Sequence, residues 1–110
     1  MYNIPLNNSY ANQEFDIVFP DTYNLENLHI LLQTTDDDSL FLSVFKNDVQ
    51  LGQTFACCPN QPIIPYLDIV KQIGGNFEFE TSENEYPSYQ NFGKTCFLKF
   101  NTIEELENAQ

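Results

Sequence analysis

The sequence has no arginine and no tryptophan, and only one histidine and one methionine. Four lysines stand against sixteen Asp plus Glu, which leaves a net charge of −12. Nucleic acid is therefore not an expected partner, because neutralising phosphates takes clustered Lys and Arg. Anionic membrane surfaces are disfavoured on the same ground. The acidity leaves two readings open, simple solubility or a basic protein partner. Three cysteines, Cys57, Cys58 and Cys96, include no Cys-x-x-Cys pair. Their odd number argues against a secreted disulfide framework and fits reduced thiols in a cytosolic product. With His29 as the sole histidine, a zinc site would have to gather ligands from distant positions. No apolar run is long enough to span a membrane, and the N-terminus lacks the basic and apolar regions of a signal peptide.

Apolar and aromatic material is plentiful. Hydrophobic residues make up 42% of the chain, and ten Phe and six Tyr are among them. That is enough for a folded core, and 110 residues suit one domain. Thirteen Asn and eight Gln are scattered rather than clustered, so they mark no low-complexity segment.

Alternation of apolar and polar residues predicts strands along most of the chain. In residues 13–19 it places Phe15, Ile17 and Phe19 on one side. In residues 28–34 it does the same for Leu28, Ile30 and Leu32, with His29 on the opposite face. Residues 40–46 are apolar on both faces and read as a central strand. Asn47-Asp48 marks a hairpin, and residues 49–56 return as a fourth strand with an interruption near Gly52. Pro59, Pro62 and Pro65 make residues 58–65 a loop or edge segment. Residues 66–73 fit either a short strand or a single helical turn. Strong alternation follows at 76–81, with Phe77 and Phe79 inward and Glu78 and Glu80 outward. The last strand, residues 94–100, points Cys96, Leu98 and Phe100 inward. Thr102 and Glu105 form a capping-box pattern for a short C-terminal helix or tail over 103–110. About seven short strands with polar turns predict an all-β sandwich or small barrel occupying residues 1–102.

Four stretches invite a chemical reading. Gly93-Lys94-Thr95 resembles the end of a phosphate-binding loop, but the leading glycine would fall at Ser88 and the following residues have strand period. Asp36-Asp37-Asp38 could hold a hard cation, yet the sixth position of an EF-hand loop would be Phe41, so a solvated turn is expected. Glu78, Glu80, Glu83 and Glu85 could supply an acid–base pair, but a solvated sheet face accounts for them. His29 could serve Cys57 or Cys58 as a base, but no Gly-x-Ser-x-Gly elbow is present and two adjacent thiols beside Pro59 read as structural. No catalytic, cofactor-binding or metal-binding residue is assigned, and no enzyme activity is expected. Phe41, Phe45, Phe97 and several Tyr fall on faces turned away from the main core. That surplus predicts an interaction or structural module.

The order of local features resembles a known family. Ile4-Pro5-Leu6 is followed by Gln13-x-Phe15, an Asn-Asp turn, Pro65-Tyr66 after the mid-chain loop, and Phe92-Gly93 before a strand bearing Leu98 and Phe100. This is similar to the small baseplate plug proteins of contractile-tailed phages of the cyanophage Pam3 type, over roughly residues 3–100. Many such sequences carry a Trp in the middle strand, where this chain has Leu40 or Phe41. The resemblance implies a non-catalytic virion protein, made in the host cytoplasm, that closes or lines the distal end of the tail tube. Its partners would be other baseplate and hub proteins, with room for a homo-oligomer. Ile4 to Leu6 and Phe92-Gly93 would serve the fold. The alternative expectation is a small acidic regulatory or inhibitor protein that mimics nucleic acid and occupies a basic groove.

Overall fold

A computed structural model describes residues 1–108. Eight strands form two antiparallel sheets, and neither sheet closes into a barrel. The first sheet has the order β1-β8-β7, with β1 at Tyr2–Ile4, β7 at Gly75–Thr81 and β8 at Cys96–Thr102. The second runs β2-β3-β4-β5, with β6 also paired to β4. Its strands are β2 at Gln13–Ile17, β3 at Leu28–Thr34, β4 at Leu40–Lys46, β5 at Val49–Gln50 and β6 at Phe55–Ala56.

The alternation read from the sequence decides which faces meet. Ile30, Leu32, Leu42 and Val44 from the second sheet, and Phe77, Phe79, Leu98 and Phe100 from the first, are almost wholly shielded from solvent. Register places Leu98 between Ile4 on β1 and Phe79 on β7. Phe19 lies just beyond β2 and joins the two ends of the chain, its ring 4.7 Å from Phe100 and 5.6 Å from Tyr2. The turns follow side-chain chemistry. Asn47 and Asp48 both take left-handed backbone angles in the β4–β5 hairpin, which Asn and Asp tolerate better than most residues.

Several elements differ from the expectation in instructive ways. Tyr2–Ile4 at the N-terminus form a strand, β1, because β8 supplies a partner that local sequence does not show. The fourth strand over 49–56 is interrupted around Gly52 as expected, and the interruption leaves two short strands, β5 and β6, that both pair with β4. Strand β8 begins at Cys96 rather than Lys94, and residues 93–95 form the turn that precedes it.

Residues 66–73 are neither a strand nor a single turn. Leu67–Ile73 is the α-helix α1, with Ile69, Val70 and Ile73 buried and Leu67, Asp68, Lys71 and Gln72 exposed. Its β-branched residues favour a strand locally, but their i, i+1, i+4 spacing gives one apolar helical face, and burial decides. Gly74 ends the helix at φ +86°, its N–H donating to the Val70 carbonyl at 2.9 Å.

The proline loop covers an edge. Asn60 and Ile63 donate their backbone N–H to the carbonyls of Phe79 and Phe77, each at 2.8 Å. The buried Asn76 side chain accepts from Ile64 N–H at 3.0 Å and donates to the Ile64 carbonyl at 2.9 Å. The open edge of β7 is thereby paired, which removes a site for edge-to-edge association. The helix α2, Ile103–Asn108, starts with the expected capping box. Glu105 N–H donates to Thr102 Oγ1 at 3.2 Å, and Thr102 N–H donates to Glu105 Oε1 at 3.1 Å. The end of the expected 103–110 segment, residues 109–110, lies outside the described residues.

Candidate interaction surface

The residues with chemical potential are dispersed. Gly93, Lys94 and Thr95 sit in an exposed turn that leads into strand β8, with Gly93 at φ +80°. A phosphate site of that kind needs a helix N-terminus after the loop, and none is there. The Asp36–Asp38 run makes the β3–β4 turn. Thr35 Oγ1 donates to the Asp37 carboxylate, and Ser39 N–H donates to it at 3.3 Å. The Thr35 hydroxyl and then Ser39 hold the Asp37 carboxyl below its usual range, so this carboxylate is itself part of the turn.

Glu78 and Glu80 face outward from β7. Lys99 lies opposite Glu78 in register and donates from Nζ to Glu80. Glu85 lies beyond the strand and accepts from the Thr95 hydroxyl.

His29 projects from the outer face of β3 as its alternation requires. Its Nδ1 lies 2.6 Å from Asp16 Oδ1, and its Nε2 lies 3.2 Å from Glu14 Oε2. The hydrogen bond to Asp16, then that to Glu14, raises its pKa above 6.5. Both ring nitrogens are committed to carboxylates of the neighbouring strand. The thiols are elsewhere. His29 is paired with Phe45, whereas Ala56, next to Cys57, is paired with Phe41. Four residues of β4 separate those positions, about 13 Å. Burial also raises the Cys57 thiol well beyond its ordinary pKa, and raises Cys96 to about 11. A protonated, enclosed thiol is a poor nucleophile. Among the described residues no His, Cys, Asp and Glu side chains gather into a metal-binding group, and no helix is long and apolar enough to cross a membrane.

The apolar surplus does reach the surface. Phe97 is 43% exposed on the outer face of the first sheet, and Phe41, Leu31 and Phe45 are half-buried on the outer face of the second. Tyr10, Tyr66 and Tyr86 are exposed, whereas Tyr2 and Tyr23 pack around Phe19 at the core margin. Two depressions accompany these residues. One, of 590 Å³, runs over the first sheet between Pro5-Leu6 and Phe97, with Gly93, Glu80 and Lys99 along it. The other, of 420 Å³, opens at one end of the molecule between the β3–β4 turn and Tyr86-Pro87. Sequence reasoning flagged Phe41 and Asp36–Asp38 separately. That β4 and the loop after β7 bring them beside Tyr86 and Pro87 is a product of topology, with Tyr86-Pro87 in a polar loop as the only local signal.

The residues that carry the resemblance have structural parts here. Ile4 is buried opposite Leu98, Phe92 is buried and stacks on Phe79 with ring centres 5.8 Å apart, and Phe100 is fully enclosed. No curated protein matches the chain. A family model described as cyanophage baseplate Pam3 plug gp18 matches residues 1–103 of the 110. This chain accordingly belongs to the cyanophage baseplate plug family and is a structural component of a phage tail baseplate.

Proposed function

We propose that the chain is a compact steric plug held in the baseplate hub by protein–protein contacts, and that it leaves when the tail contracts. The observation that carries this reading is the family match over residues 1–103. The physical properties of the molecule support it. Two sheets share one apolar core, so the body resists deformation as a unit. Aromatic side chains remain on the outer faces of both sheets, where neighbouring hub proteins would contact them. The acidic surface limits self-association and favours partners of opposite charge. The chain would act without catalysis, be synthesised in the host cytoplasm and be built into the tail there.

Mass spectrometry of purified tails before and after contraction tests the proposal. The chain should be present in extended tails and depleted from contracted ones. Equal amounts in both states would overturn the release step, and absence from extended tails would overturn the plug role.

A further inference from the structure

We infer that the end cleft between the β3–β4 turn and Tyr86-Pro87 is a docking groove for a lysine or arginine side chain on a neighbouring baseplate protein. The inference rests on the plug reading and names the chemistry of one of its contacts.

The groove has an apolar floor and an acidic lip. Phe41 and Ala56, paired across β4 and β6, line the floor together with Pro87. Asp37 and Asp38 form the lip on one side, and Tyr86 stands on the other with 73% of its surface exposed. That combination matches one kind of side chain. The aliphatic stem of Lys or Arg lies on apolar surface while its charged head reaches for polar partners. Here the stem would cover Phe41, Ala56 and Pro87. The head would meet Asp37 and Asp38, with the Tyr86 ring available for a cation–π contact.

Charge selects the occupant further. No lysine lines the groove. Of the four lysines, Lys46 is paired with Glu26 and Lys99 with Glu80. Among the described residues neither Asp37 nor Asp38 has a salt-bridge partner within the chain. The groove therefore keeps its negative charge available. A second copy of this chain is a poor occupant, because it has no arginine and a net charge of −12. The Asp37 carboxylate is held in place by Thr35 and Ser39, so the lip is organised before a partner arrives.

The test uses phage carrying variants of the chain, with incorporation into purified tails measured by mass spectrometry. The combined change Asp37→Asn, Asp38→Asn and Tyr86→Ser keeps the turn acceptors and alters only exposed positions. Circular dichroism of the purified variant should match the wild type, and its melting temperature should stay within a few degrees because Asn keeps an acceptor for Thr35 and Ser39. Its incorporation should fall about tenfold, as expected when a desolvated charge pair loses one side. A control with the same loss of charge elsewhere, Asp68→Asn with Glu104→Gln, should be incorporated normally. Carboxyl-to-amine cross-linking of wild-type tails should join Asp37 or Asp38 to a lysine of another baseplate protein, or lose its yield if arginine fills the groove while the incorporation defect remains. Normal incorporation of the folded triple variant overturns the groove and leaves the plug role standing. An equal defect in the control overturns it too, since bulk charge would then be the cause. Absence of the wild-type chain from tails overturns both.

Discussion

The single histidine sits between two carboxylates on the edge strand of the second sheet, and this fixes a pH response. Asp16 first, then Glu14, raise its pKa above 6.5. The unfolded chain lacks both contacts. Stabilisation from the charged imidazole is therefore complete below about pH 6.5 and disappears as pH climbs through the folded pKa. The His29 side chain is 38% exposed, so solvent screening keeps the effect small, at most about 1 kcal/mol. Thermal melts of wild type and His29→Gln should separate at pH 5.5 and converge at alkaline pH, and NMR titration should place the His29 pKa above 6.5. A His29 pKa at or below 6.5 would remove the basis of the response.

The thiols allow a count on the same scale. Cys57 and Cys96 are buried, whereas Cys58 is partly exposed beside the end groove. An aromatic disulfide reagent at pH 8 should label one thiol per native chain and all three after denaturation. Fast labelling of two or three native thiols would show that Cys57 or Cys96 is less enclosed than its burial indicates. Roles of this kind were only half legible in the sequence. Alternation put His29 on an outer face, but its carboxylate partners come from β2, and no local pattern states which strand lies beside β3.

Among the elements, those with strong alternation were legible and those that depend on a distant partner were not. Residues 76–81 and 96–100 carry phenylalanines at every second position on one face, or Cys, Leu and Phe in that spacing, and they form β7 and β8. Helix α1 stays open in the sequence between a short strand and a helical turn because Ile69-Val70 and Ile73 satisfy both periods over so short a span. Strand β1 was missed because three residues show no period of their own, and β8 alone makes them a strand. Gly75 shows how tightly one such pairing is built. A Cβ added there would lie 2.2 Å from the Asn101 carbonyl oxygen and 2.5 Å from the Phe100 ring. The obstacle includes backbone, which cannot rotate aside. Gly75→Ala should destabilise the protein by about 1–3 kcal/mol, the range for overpacking. Urea denaturation checks it, with a lowered midpoint at unchanged slope. An unchanged midpoint would mean that β7 and β8 approach less closely at this end.

At the scale of the whole molecule, the sequence conveyed an all-β class and a family, yet it left sandwich and barrel both open and did not show the loop that closes the β7 edge. Those depend on which strands meet across the core, which alternation leaves unspecified. The core itself gives a sharp test. Leu98 lies on the central strand of the first sheet, 1% exposed, between Ile4 and Phe79. Its neighbour Phe97 points the opposite way and is 43% exposed. Leu98→Asp would bury a carboxylate with no cation in reach, which costs several kcal/mol. A domain's total stability is about 5–15 kcal/mol, so one such change consumes much of it. Both sheets contribute to the same apolar cluster, so loss of the first should carry the second with it. Leu98→Asp should therefore abolish the cooperative melt seen by circular dichroism, and amides in β3 and β4 should lose hydrogen-exchange protection together with those in β7 and β8. Phe97→Asp, one residue away, should melt within a few degrees of wild type. Retained protection in β3 and β4 after Leu98→Asp would show that the second sheet folds by itself, and the plug would then be two stability units instead of one rigid body.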